Sequence, residues 1–453
     1  MKNLVHPLLF IITSICFSNV YAQQSDILES YVQAGIGSNL TLKQQDADLR
    51  KAQESIRQAK SLFLPRLTFE ANYTVAAGGR KIDFPIGDLL NPVYSTLNQI
   101  TQTSQFPTLE NQQIQFLPNN FHETKVSFAF PLYNSDLRYN RDIQQQLFQS
   151  KAAQKAAYEH ELRYQITETY LQFLQAAEGE KIWLNTKTVL QELRRFNESL
   201  VKNNVATRDV TATADYELSK ADLEIIKLRK AQKDAKAYIN FLINRDLNSE
   251  IKTDTLLLRA TVPVYDPTAL IAQSMEKRSE FAALRAGMQA AETDVRRNDA
   301  NSKIPDFYIG GSLGFQGYGY KFNKEQAYAL AQIGLTYDLF DGGQRKSKTQ
   351  EARIESEKIH TQYQQVQQQV ALQITIAWND LESARNAHAT TQVGLRAAEE
   401  TFRIVQNKYR ASQVLLIEFL EAQNRVTVAR LQNVLAWSDV LLKDAALRQA
   451  AGL

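Results

Sequence analysis

The stretch FAFPLYNSD, Phe128 to Asp136, returns as LTYDLFDGG, Leu335 to Gly343, with Leu132 and Leu339 in matching places 207 positions apart. The same spacing of 207 relates Val205-Ala206-Thr207 to Ser412-Gln413-Val414, and each of these short breaks lies between two helix-like stretches. A repeat of this length means that one architecture is used twice. From Asp136 to Asn203 and from Gly343 to Tyr409 there is no proline, and Ala, Gln, Glu, Lys and Leu dominate. Each stretch predicts a helix on the order of 100 Å long. In the second, Ile359, Tyr363, Val366, Val370, Ile374, Ala377, Leu381 and Ala384 recur mostly at steps of four and three, the pattern of a coiled-coil seam. Asp209 to Ile243 and Leu415 to Leu447 supply the antiparallel partners.

Upstream of each long helix the period changes to two. Leu67, Phe69, Ala71 and Tyr73 alternate with Thr68, Glu70 and Asn72, and Val126, Phe128 and Phe130 alternate with Lys125, Ser127 and Ala129. The second copy repeats this with Phe307, Ile309, Leu313 and Phe315, then Ile333, Leu335, Tyr337 and Leu339. Four strands per chain are predicted, apolar on one face and polar on the other. Pro65 and Pro305, which enter the first strand of each copy, lie 240 positions apart, so the first copy carries 33 extra residues. They read as an enlarged loop at about 74–124, because no period is sustained there. An alternating wall of this kind suits a barrel with lipid outside and water inside. Four strands cannot close one, and open edges in hydrocarbon leave backbone groups unsatisfied, so several copies of the chain are needed.

The start of the chain, with Lys2, an apolar run from Pro7 to Phe17 and the close Val20-Tyr21-Ala22, predicts a signal peptide over 1–22. The single cysteine, Cys16, falls inside it, which leaves no thiol for disulfides or catalysis in the exported chain. With 52 basic and 49 acidic side chains there is no basic excess to hold nucleic acid. His122, His160, His360 and His388 are scattered without metal-ligand spacing, so no metal or other cofactor is expected. Gly310-Gly311-Ser312-Leu313-Gly314 fits the G-x-S-x-G pattern of a serine nucleophile, but an aromatic and glycine run follows it where a helix is required. The expectation is that the chain is not an enzyme.

At KYRASQVLLIEFLEAQ, Lys408 to Gln423, the chain resembles the outer-membrane efflux protein family, the TolC family, at that family's signature between its last two helices. LVKNNVATRDVTATADY, Leu200 to Tyr216, is the first-copy relative, and the Pro65 and Pro305 motifs and Leu339 to Gly343 support the match. The resemblance implies a mainly α fold with a β-barrel portion: antiparallel helical hairpins forming an α-barrel, and four strands per chain in a homotrimeric 12-stranded outer-membrane barrel. Its parts are then a first repeat at 23–245 with its tip near 203–209, an equatorial segment at 246–267, and a second repeat at 268–453 with its tip near 410–414. The implied function is a passive exit duct of a tripartite efflux or type I secretion system. That duct sits in outer-membrane lipid, extends into the periplasm, and is served by a periplasmic adaptor and an inner-membrane pump. The competing reading is a periplasmic coiled-coil scaffold or adaptor without a barrel.

The resemblance also places two acidic rings of a periplasmic gate at Glu418 and Glu421. Their i, i+3 spacing puts both on one helical face. Carboxylates about 7 Å apart repel by about 0.6 kcal/mol in water and about 2.4 at an effective dielectric of 20, so such rings attract cations. Asp209 and Tyr409 fall where the family links its two hairpins in the closed state, and Asp209 is equally suited to cap the helix that it begins. Gln413-Val414-Leu415 offers no basic side chain to that link.

Overall fold

The computed structural model describes residues 26–254 and 257–453. The expected signal segment and Cys16 lie outside them. In chain order the elements are α1 (Asp26–Ser38), α2 (Leu40–Ser61), β1 (Arg66–Thr74), β2 (Lys81–Phe84), α3 (Ile86–Thr101), β3 (Gln112–Gln115), β4 (Phe121–Tyr133), α4 (Ser135–Lys202) and α5 (Asp209–Leu242). The second half holds α6 (Pro267–Lys277), α7 (Ser279–Lys303), β5 (Asp306–Tyr318), β6 (Ala327–Thr336), α8 (Gln344–Arg410) and α9 (Leu416–Ala451). None of the described helices is long and apolar enough to cross a membrane.

The described residues divide into two compact units, the first made of those within 26–52, 147–288 and 358–453. In it Leu28, Val32, Leu162, Ile166, Tyr170 and Ile239 pack into one buried cluster, joining α1, α4 and α5. A second cluster holds Leu270, Phe281, Val370, Ile374, Leu381 and Leu447, joining α6 to α9. The seam read from the sequence is at work here, since Val370, Ile374, Leu381 and Ala384 are all buried. The segment 246–267 touches both clusters. The Tyr31 hydroxyl accepts from the Lys252 backbone N–H, and the Tyr170 hydroxyl donates to the Lys252 carbonyl at 2.8 Å. Further along, the Trp378 indole donates to the Tyr265 carbonyl at 3.2 Å and the Trp437 indole donates to the Leu258 carbonyl. Asp266 accepts from Thr268 N and Pro267 opens α6, a normal helix start.

The second unit, residues 53–146 and 289–357, carries an antiparallel four-stranded sheet in the order β1-β4-β5-β6. Register pairs put Leu67 opposite Phe128, Phe69 opposite Val126, Val126 opposite Leu313, and Ile309 opposite Ile333. One face is therefore apolar, and it is uncovered, with Leu67, Phe69, Leu313 and Ile333 all more than 60% exposed. The other face is charged: Lys125 Nζ lies 3.4 Å from Glu70 and 3.1 Å from Glu123, and the Tyr328 hydroxyl donates to Glu123. Gly311 and Gly334 give room to aromatic rings opposite them. A Cβ on Gly311 would lie 2.6 Å from the Phe128 ring and 2.4 Å from the Leu330 carbonyl, and one on Gly334 would lie 2.2 Å from the Tyr308 ring.

Ser312 sits mid-strand in β5, between Ser127 and Leu330, so the G-x-S-x-G pattern makes no turn into a helix. The stretch expected to be an enlarged loop is structured instead. It holds the antiparallel pair β2–β3 and the 16-residue helix α3.

Candidate functional site at the hairpin tips

Both hairpins reverse through the same backbone device. After α4, Asn204 takes a left-handed conformation with φ 56° and Val205 N–H returns to the Leu200 carbonyl at 2.9 Å. After α8, Ser412 does so with φ 61° and Gln413 N–H returns to the Lys408 carbonyl at 2.8 Å. These bonds satisfy carbonyls that the helix end would leave orphaned.

Behind the turns the two hairpins meet in an apolar cluster of Leu190, Leu193, Ala221, Tyr409 and Phe419, flanked by Phe196, Phe402 and Leu420. The Tyr409 ring is central to it, 5.7 Å from Phe196 and 5.0 Å from Phe419 between centroids. Its hydroxyl donates to Asn197 Oδ1 at 2.8 Å, and Asn197 Nδ2 donates to the Val210 carbonyl at 3.1 Å. Asn197 is fully buried and thus ties α4 to α5 and to α8 at once. Burial pushes the Tyr409 hydroxyl up from its usual range, and the bond to Asn197 acts in the opposite direction. A second buried polar contact between the hairpins joins the Thr186 and Thr427 hydroxyls at 3.0 Å, and Gln423 Nε2 also donates to Thr427. At the surface Arg410 approaches Glu192 at 3.8 Å.

The link expected between Asp209 and Tyr409 takes a different form here, because the Tyr409 bond goes to Asn197. Asp209 opens α5, following Arg208 at the cap position, and accepts from the Thr207 hydroxyl. Glu418 and Glu421 both lie exposed on the first turns of α9. Glu418 Oε1 accepts from the Leu415 backbone N–H at 3.3 Å, which suits an acid at a helix N-terminus. Glu421 stands beside Asn424 and Arg425 on the wall of a groove between α8 and α9. Among the described residues no group of three or more His, Cys, Asp and Glu side chains could hold a metal ion.

Asn197 escaped the sequence reading, although a signal for it exists. Thr186, Leu190, Leu193 and Asn197 follow steps of four, three and four, so two polar side chains, Thr186 and Asn197, flank two leucines on one seam, and the fully polar Asn197 is the one that specifies register.

Residues 270–453 match the family described as Outer membrane efflux protein. The chain is 26% identical over 120 residues to the outer membrane efflux protein BepC of Brucella suis, an alignment covering 26% of this chain and 26% of that protein. It is 22% identical over 335 residues to the alkaline protease secretion protein AprF of Pseudomonas aeruginosa, covering 72% of this chain and 69% of that one. The match to BepC thus spans about a quarter of that protein's length. The outer membrane protein VceC of Vibrio cholerae superposes with a TM-score of 0.74 at 16% identity, over 94% of this chain and 96% of VceC, which is a likeness of fold.

Proposed function

We infer that this chain, a member of the outer membrane efflux protein family, is one subunit of an outer-membrane channel that serves as a passive exit duct for an efflux or type I secretion system. The observation that carries the reading is the four-stranded sheet with an uncovered apolar face, a charged opposite face and two open edges, β1 and β6. Apolar side chains this exposed belong against lipid, and the charged side belongs in water. Open edges in a bilayer leave N–H and C=O groups unsatisfied at several kcal/mol each, so neighbouring copies must supply the missing pairing. In this reading three copies complete one twelve-stranded wall in the outer membrane, and their helices extend into the periplasm toward an adaptor and an inner-membrane pump. A coiled-coil scaffold free of the membrane would have no use for Leu67, Phe69, Leu313 and Ile333 on one bare face.

The hairpin tips are the gate. Exposed Glu418 and Glu421, repeated in each copy, set a negative potential where the tips converge, and the Tyr409 to Asn197 bond holds the two hairpins together within a copy. The test is conductance of the purified oligomer in a planar bilayer. The parent is expected to prefer cations, and Glu418→Gln with Glu421→Gln to lose much of that preference. Unchanged selectivity removes these two residues from the gate, and material that stays monomeric and soluble without detergent overturns the channel reading.

A further inference from the structure

The insertion between β1 and β4 contains an amphipathic helix turned inside out. The polar side of α3 faces the return segment of the same insertion, Phe106 to Asn111. There the Asn91 side chain pairs with both backbone groups of Leu109, donating at 2.9 Å and accepting at 2.8 Å. Farther along the helix the Asn98 side chain does the same with Phe106, at 2.8 and 3.1 Å. Asn111 bridges back, accepting from Asp88 N and donating to the Asp88 carboxylate. Gly87 allows the approach, since a Cβ there would lie 2.3 Å from the Leu109 carbonyl oxygen.

The opposite side of the helix is apolar. Ile86, Leu89, Val93, Leu97 and Ile100 follow steps of three, four, four and three, the spacing of a helix seam that expects a partner helix. Leu89, Val93 and Ile100 are 66%, 51% and 73% exposed while Ile86 and Leu97 are half-buried, so the greater part of the seam is left uncovered by the described residues. A continuous apolar stripe of this kind marks an interaction surface.

We propose that the stripe on α3 packs against the same stripe of neighbouring copies, forming a helical cap on the rim of the barrel opposite the strand ends that lead into α4 and α8. The proposal rests on the channel reading. In that reading β1 is an edge strand joined to the next copy, and the insertion leaves β1 at Thr74 and re-enters β4 at Phe121, a register pair. Closing the wall therefore brings one insertion from each copy to the same rim, at the high local concentration that tethering provides. Identical faces related by the symmetry of the ring can then meet each other. Charge argues against a lipid surface as the occupant. Helices that lie on anionic membranes carry Lys and Arg along the polar side, whereas α3 has none and its one charged residue is Asp88.

The test uses the exported protein in detergent, into which Val93→Cys or Ile100→Cys is placed as its single thiol. Oxidation is expected to give disulfide-linked species between copies on a non-reducing gel. Leu89→Gln, Val93→Gln and Ile100→Gln together are expected to raise single-channel conductance severalfold while the oligomer stays intact by light scattering. An intact oligomer that forms no cross-link at either position overturns the cap and leaves the channel standing. A fluorescent label attached to the Val93→Cys variant gives a further check in reconstituted vesicles. Its quenching by brominated lipid also overturns the cap, in favour of a helix lying on the membrane. A monomer by light scattering overturns the channel reading itself.

Discussion

The two hairpins end in turns of the same kind, yet the side chains behind those turns divide the work between them. The first contributes a polar socket, Asn197, and the second an aromatic plug, Tyr409, with Phe419 and Phe402 around it. A duplicated hairpin could have met its copy through like residues. Here the contact pairs unlike ones, which fixes how the two hairpins register against each other. The ring supplies most of the burial and the amide supplies the directional bond.

Removing the plug should have the largest effect. Tyr409→Ala vacates the centre of the tip cluster and is expected to cost about 3–5 kcal/mol, as for other large aromatic truncations. It would be read as a lower thermal midpoint of the detergent-solubilised protein and as more frequent channel openings. The socket ranks second. Asn197→Ala leaves the Tyr409 hydroxyl and the Val210 carbonyl without their buried partner, for about 1–3 kcal/mol. Tyr409→Phe combined with Asn197→Ala should cost less than the sum of the two single changes, since both remove the same bond. Full additivity in a double-mutant cycle would mean that ring and amide do not cooperate.

Farther along the helices the copies differ in how they carry charge, and pH separates them. In the first, Arg163 holds Glu29 through two bonds of 2.7 and 3.0 Å and keeps its carboxyl below the usual 4.5. That contribution is complete above pH 4.5 and is lost as pH falls through the depressed folded value. In the second, burial pushes Asp444 above its usual 3.8, against the pull of Arg448 and the hydrogen bond from Tyr265, so the folded state holds the proton more tightly than the unfolded one. Its contribution therefore declines as pH rises from 3.8 through the raised folded value. Stability-against-pH curves should thus move in opposite senses. Arg163→Met flattens the acid limb by up to about 1 kcal/mol, given partial solvent screening, and Asp444→Asn removes the decline on the other side. Identical curves for the two variants would erase the contrast.

The parts of this architecture that follow a strong period were legible from the residues. Alternation in Leu67 to Tyr73 and in Phe307 to Phe315 marked strands, and the Ile359 to Ala384 steps marked a helix, because in each case apolar side chains recur on one face at the period of the element. Helix α3 was hidden, since Pro92, three asparagines and several threonines and serines in and around it have the composition of a loop. Its asparagines are spent on backbone groups of Leu109 and Phe106, partners chosen by tertiary proximity that no local pattern encodes. The tip contact was half legible. Tyr409 stood out through the signature around it, whereas its partner could be identified only once the opposing hairpin was in place, and the bond then fell on Asn197, 12 positions before Asp209.

The strap at 246–267 fastens what it joins. It receives bonds from Tyr170 on one side and from Trp378 and Trp437 on the other. Cutting the chain there would not give two independent halves, because each would be left with donors aimed at a backbone that the cut had released.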